Sequence, residues 1–239
     1  MTPKIEFNSL AIEVTRRCNM HCDHCMRGEP QNKDVSRETI ETLLQNTKSI
    51  LDILFTGGEV SLNTDIIKYT LELCKKYHIP VYGFYIVTNG KEIHNDFLYA
   101  CIEWYSYVIE CGGDTECCGL ALSKDMFHES ISYENQSKLQ AFSFFREDKF
   151  TDFDKTPLLN LGRAHNISGF TKREKNYDYE PYVSKDINNL YNIDDIITVT
   201  VDGDILLSCD YEYNNTDNIK IGSVYNPNWI TEYYNTQNE

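Results

Sequence analysis

Along the first two thirds of the chain the apolar positions switch between a strand period and a helix period. FNSLAIEV is a strand-like run. DVSRETIETLLQNTKSI follows, with Ile40, Leu43 and Leu44 at helical spacing behind an entry signal at Ser36, and Thr39 three residues on. LDILFTGGEV reads as a buried strand broken by two glycines. NTDIIKYTLELCKKYHI returns to the helical period, with Ile66, Ile67, Thr70, Leu71 and Cys74 near one face, and Pro80 stops it. VYGFYIVTNG is the next strand and closes on Asn-Gly. HNDFLYACIEW is read as a short helix, YSYVIECGG as a strand, and LSKDMFHESISYENQSKLQAFSFF as a longer, less periodic helical region. Alternating strands and helices predict an α/β fold, a mostly parallel sheet with covering helices.

From about residue 150 the pattern changes. TPLLNLGRAHN predicts one more strand running into Gly-Arg, and the polar stretch ISGFTKREKNYDYEPYVSKDINNLYN carries no assignable period. DIITVTVDGDILLSCDYEY predicts a β-hairpin turned at Asp202-Gly203, a strong short-range signal. NIKIGSVYNPNWITEYYN adds a strand and a terminal helix. Division at residue 170 gives two parts, 1–170 and 171–239.

Composition narrows the function classes. The 239 residues are 41% hydrophobic, enough for one α/β core. The formal charge of −15 would repel a phosphate backbone, which argues against nucleic acid as partner or substrate. The N-terminus has no signal-peptide pattern, and no run approaches the about 20 apolar residues that span a bilayer, so a cytoplasmic location is expected. In that reducing compartment nine cysteines read as metal ligands, reactive thiols or small buried hydrophobes.

RRCNMHCDHCMRG holds Cys18, Cys22 and Cys25 in the spacing C-x3-C-x2-C, with no fourth cysteine nearby. Zinc with His21 or His24 as a fourth ligand is one solution. An iron–sulfur cluster on three thiolates, with one iron left open, is the other. Gly57 and Gly58 of FTGGE permit close backbone approach, and Glu59 can accept from an ammonium. These loops, with Asn89 of IVTNG, are expected at the C-terminal edge of the sheet, where active sites of such folds lie.

The cysteine spacing, with His24 where an aromatic is usual, together with FTGGE and IVTNG in order, resembles the radical S-adenosylmethionine (radical SAM) superfamily. The resemblance implies a partial TIM-type (β/α)6 barrel, a [4Fe–4S] cluster on Cys18, Cys22 and Cys25, and S-adenosyl-L-methionine (SAM) on the open iron. It further implies that Gly57, Gly58 and Glu59 bind the methionine amino group, that Asn89 lies near the SAM pocket and that His24 lies near the adenine. Glu110, Asp114 or Thr115, around Cys111-Gly112-Gly113, become candidates for the ribose. Arg163 of Gly162-Arg163-Ala164 becomes a candidate for a SAM or substrate carboxylate. VTVDGDILLSCDYEY resembles the start of a SPASM or Twitch extension, here with Cys209 alone after the hairpin, so a reduced extension without a full auxiliary cluster is expected. Cys209 is then a buried small hydrophobe or a hydrogen-atom donor.

The implied activity is reductive cleavage of SAM to a 5′-deoxyadenosyl radical, with electrons from reduced flavodoxin or ferredoxin, and hydrogen abstraction from a ribosomally made peptide or protein side chain. Epimerisation, crosslinking or a similar modification would follow. Because about 17 residues precede Cys18, a peptide would need a separate recognition protein or a groove of its own. A small metabolite or nucleotide derivative is the alternative substrate. A non-enzymatic zinc protein is the alternative class.

Overall fold

The computed structural model describes residues 3–146, 157–175 and 180–238. The part of the predicted late strand at Thr156, and residues 176–179 of the polar stretch, lie outside them. Strand β1 (Lys4–Thr15) leads through the cysteine loop to helix α1 (Arg37–Gln45). The Ser36 hydroxyl caps α1 by accepting from the Thr39 amide at 3.0 Å, as its position predicts. Next come β2 (Thr47–Gly57), α2 (Thr64–Tyr77), β3 (Val81–Thr88), α3 (Asn95–Glu110), β4 (Cys118–Leu122), α4 (Tyr133–Gln140) and β5 (Phe145–Arg146). After these lie β6 (Leu158–Leu159), β7 (Lys172–Arg173), β8 (Val183–Lys185), β9 (Leu190–Val199), β10 (Asp204–Leu206), β11 (Lys220–Ser223) and α5 (Trp229–Thr236).

The fold is α/β around a central sheet of strand order β11-β10-β9-β1-β2-β3-β4-β5, with β8 on β9. From β9 to β5 the neighbours are parallel, so the chain leaves these strands at one common edge. One face packs on the helices: Ile53, Phe55, Phe84 and Ile86 join Ile67, Phe97 and Trp104 in the main core. The Trp104 ring sits 5.3 Å from Phe55 and its indole N–H donates to the Ile67 carbonyl. The other face carries Ala11, Leu54 and Tyr85, side by side in the register Ala11↔Leu54 and Leu54↔Tyr85. These three line an internal cavity of about 580 Å³.

Several elements differ from the sequence expectation: residues 47–50, read with the first helical stretch, are the start of β2. YSYVIE is the second half of α3, not a strand. Phe97, Ala100, Cys101, Trp104, Tyr107 and Val108 are buried at one continuous helical spacing, which outweighs the strand preference of the aromatic and β-branched residues. The strand comes later, as the short apolar run CGLAL, every residue of it buried. Of the expected long helix after it, α4 alone forms, and residues 123–132 are a loop. The strand before Gly162 is β6, which pairs with β7 in a separate two-stranded sheet.

The hairpin at Asp202-Gly203 forms as predicted: β9 and β10 pair antiparallel, with Gly203 at φ +79°. Its first strand also lies parallel against β1 (Leu10↔Ile197, Ile12↔Val199), inside the central sheet. Buried Glu13 fastens this join, accepting from the Val201 amide at 2.9 Å and pairing with Arg16 at 3.1 Å. No helix among the described residues is long and apolar enough to cross a membrane.

Candidate active site

The loop after β1 carries Cys18, Cys22 and Cys25, all free and partly buried, into the wall of the central cavity. Burial raises the Cys18 thiol; a hydrogen bond from the Met20 amide opposes this, and negative charge at Glu59, Cys25 and Cys22 adds to the rise. Three thiols gathered at one cavity wall form a donor set that fits a cationic metal centre. Among the described residues no fourth cysteine belongs to this loop. His21 points to solvent with Nε2 3.0 Å from Glu29 Oε2. His24 Nε2 faces Asp125 Oδ2 at 3.1 Å. Neither imidazole is poised as a fourth ligand to the thiols.

Gly57 and Gly58 end β2 against the start of the cysteine loop. A Cβ on Gly57, at φ +149°, would lie 2.2 Å from the Thr15 carbonyl oxygen, and one on Gly58 2.2 Å from that of Arg17. The closeness permits two backbone hydrogen bonds, Gly58 N to Thr15 O and Glu59 N to Arg17 O, both 2.8 Å. These glycines are therefore required by the protein's own packing before any ligand is considered. Glu59 is buried. Its Oε1 accepts from the Thr88 hydroxyl at 2.6 Å and the Ser61 amide at 3.0 Å, and its Oε2 from the Asn89 amide at 2.7 Å. Burial pushes its carboxyl up, and these bonds pull it back. Glu59 thus ties the ends of β2 and β3 together with part of its acceptor capacity left. Asn89 Nδ2 in turn reaches Asn19 Oδ1 at 2.9 Å and Cys18 Sγ at 3.8 Å.

Two sequence candidates stand elsewhere. Glu110 is exposed at the C-terminal end of α3. The Gly112-Gly113 corner that follows packs on Tyr82 at the start of β3, the end of the sheet opposite Asn89. The correction follows from the helical reading of YSYVIE, and it removes Asp114 and Thr115 from the cavity as well. Arg163 does not line the central cavity but a small cleft behind the cysteine loop. Its amide donates to Cys25 O at 2.9 Å, its Nε to Cys22 O at 3.0 Å, and its Nη1 lies 3.4 Å from Glu29.

The loop after β4 contributes residues that the strand misassignment hid. Asp125 Oδ1 accepts from the Phe127 and His128 amides at 2.8 and 3.1 Å, and His128 Nδ1 stands 2.7 Å from the same oxygen. Burial opposes the Asp125 charge, yet His128 and His24 hold the carboxyl far below the usual range. Burial likewise opposes the His128 charge, and Asp125 with Cys22 raises it to about 9. The His24 ring stacks on Phe127 at 4.7 Å. The aromatic surface expected at position 24 is thus a pair of rings from two loops. Buried Arg27, stacked on Tyr211 at 4.0 Å, and Cys209, whose thiol burial pushes up, complete the wall near the C-terminal segment. The spacing D-x-x-H, which begins after Ser123-Lys124 at the end of the apolar run LAL, is the sequence signal that could have found Asp125 and His128.

The sequence profile of the Radical SAM superfamily matches residues 12–133, a little over half of the chain. A Bacillus subtilis protein named for peptide biosynthesis, YydG, is 33% identical over 88 residues, 34% of this chain and 26% of its own length. Molybdenum cofactor biosynthesis protein 1 of Drosophila melanogaster is also 33% identical over 88 residues, 34% of this chain and 15% of its own length. The matches span between 15% and 32% of the curated relatives' lengths. Among solved structures, native anSMEcpe with bound AdoMet and Cp18Cys peptide superposes with a TM-score of 0.59 at 13% identity, covering 96% of this chain and 80% of that one.

Proposed function

This chain belongs to the radical SAM superfamily, and from that premise we propose that it cleaves SAM reductively and modifies a peptide or protein side chain. The observation that carries the proposal is the meeting of three free cysteines, the Gly57-Gly58-Glu59 turn and Asn89 on one cavity. AdoMet and an iron–sulfur cluster are typical of the family; here Cys18, Cys22 and Cys25 would hold a [4Fe–4S] cluster whose open iron takes SAM. When bound, that pair supplies a 5′-deoxyadenosyl radical able to abstract hydrogen from an unactivated C–H bond.

The chain's own residues do the positioning. The Gly57-Gly58 backbone and Glu59 face the methionine end, and Asn89 spans from that site to the cysteine loop. His24, with Phe127 stacked on its ring, offers a surface for the adenine. The apolar row Ala11, Leu54 and Tyr85, with Leu158 and Leu159 of β6, excludes water from the reacting C–H bond. The scaffold is proposed to be a partial (β/α)6-type barrel, with residues 171–239 as a reduced SPASM- or Twitch-like extension.

A peptide substrate is supported by the structurally similar anSMEcpe, solved with a bound peptide, and by YydG, named for peptide biosynthesis. A small metabolite is the second reading, supported by the equal identity to a protein of cofactor biosynthesis. Within the peptide reading, the place of Cys209 in the cavity wall favours epimerisation. Its S–H bond breaks homolytically and the hydrogen passes to the substrate carbon radical. One electron from the donor protein and one proton from solvent restore the thiol. Reduced flavodoxin or ferredoxin is the proposed electron donor, and a separate recognition protein the proposed peptide carrier.

The test is anaerobic reconstitution with iron and sulfide, followed by SAM and dithionite. A brown protein that forms 5′-deoxyadenosine is expected. A colourless protein that takes one zinc and leaves SAM intact would return the chain to the zinc-binding reading.

A further inference from the structure

Arg163 sits on the far side of the cysteine loop from the central cavity, and what it holds there is backbone. Its amide and Nε donate to the carbonyl oxygens of Cys25 and Cys22, at 2.9 and 3.0 Å. Gly162 makes the approach possible: at φ +55°, a Cβ on it would lie 2.4 Å from Cys25 O and 2.6 Å from Gly28 N. Glu212 secures Gly162 from behind by accepting from its amide and from His165 Nε2. Glu29, paired with both Arg163 and His21, closes the clamp over the loop.

Peptide units are planar and trans, so a carbonyl turned towards Arg163 points the amide of the same unit the opposite way. The units concerned are Cys22-Asp23 and Cys25-Met26. Among the described residues neither the Asp23 nor the Met26 amide donates to any acceptor. Two amides without a partner in the loop that carries the three thiols are free to donate to sulfur.

We propose that Arg163 is a positioning residue: with its guanidinium on the Cys22 carbonyl and its main-chain amide on the Cys25 carbonyl, alongside the turn bonds from the Cys25 and Gly28 amides at 3.1 and 3.3 Å, it fixes the Asp23 and Met26 amides as hydrogen-bond donors to the cluster's sulfur atoms. This rests on the radical SAM reading and goes beyond it. Donors to sulfur stabilise the reduced, more negative cluster and so raise its potential. The assignment replaces the carboxylate-binding role that the Gly-Arg-Ala resemblance implied.

The experiment is a potentiometric titration, followed by electron paramagnetic resonance, of reconstituted wild type, Arg163→Gln and Arg163→Lys. In Arg163→Gln, which removes the guanidinium bond to the Cys22 carbonyl and keeps the main-chain bond to Cys25, the ratio of reduced to oxidised cluster at a fixed potential is expected to fall about tenfold, which is about 59 mV for a one-electron couple. Arg163→Lys recovers part of it, and SAM affinity is unchanged in both. A full-occupancy cluster with wild-type potential in Arg163→Gln overturns the proposal, as does weakened SAM binding at unchanged potential. Should both variants come without iron, the loop is read in Met20→Leu protein labelled with 15N-methionine, where Met26 is the labelled residue in the loop. A 15N coupling to the reduced cluster by pulsed double resonance supports the donor role, and its absence overturns it. If the wild type itself forms no [4Fe–4S] cluster, it is the family chemistry that fails, a separate outcome.

Discussion

Glu59 shows how much one side chain carries at this site. Its two carboxylate oxygens take three donors from two chain segments while the group is 1% exposed. Glu59→Gln puts an NH2 group opposite one of those donors. The expected loss is about 1–3 kcal/mol, read as a lower urea midpoint at unchanged slope. Gly58→Ala drives a Cβ into the Arg17 carbonyl and is expected to cost about 1–3 kcal/mol or more, with failure to retain iron on reconstitution. His24→Phe keeps the stack on Phe127 and loses the Asp125 contact; iron content is expected to stay at the wild-type level. Cys18, Cys22, Cys25, Gly57, Gly58, Glu59 and Asn89 were legible because each follows a strand that the apolar period marks clearly. Arg163 was singled out by Gly-Arg-Ala, but its place was not legible, because the fold brings it to the back of a loop about 140 residues earlier, and no local pattern records that.

At the scale of elements, the hairpin matters through what it joins. Buried Glu13 binds the Val201 amide and Arg16 at once, linking β1, the root of the cysteine loop and the β9–β10 turn. Glu13→Ala leaves the Arg16 charge without its closest partner and is expected to destabilise by about 3–5 kcal/mol, measured as a shift in urea midpoint. Long periodic elements, β1, α1, β2, α2 and β3, could be read from sequence. The reading failed at α3, where Trp104, Tyr107 and Val108 satisfy a helical face with residues that favour strands. That single error moved a strand end by a dozen residues, put Glu110 at the cavity and hid Asp125 and His128. The parallel pairing of β9 with β1 was beyond local pattern, since nothing near either strand encodes a partner so distant in sequence.

In the whole molecule, three segments far apart in the chain meet around one cavity: the cysteine loop, the 157–175 segment and residues 209–213. Gly162, Arg163 and Glu212 are where they touch, so the cysteine loop is braced by the part of the chain that lies outside the superfamily match at residues 12–133. Under the proposed function, this braced loop holds an iron–sulfur cluster at which SAM is cleaved. The most direct measurement is 5′-deoxyadenosine formed by the anaerobically reconstituted protein with SAM and dithionite, with Cys22→Ala treated identically. Wild type is expected to bind iron and sulfide and to form 5′-deoxyadenosine with methionine, and Cys22→Ala to form none. Equal yields from the two proteins, or none from an iron-loaded wild type, would contradict the account.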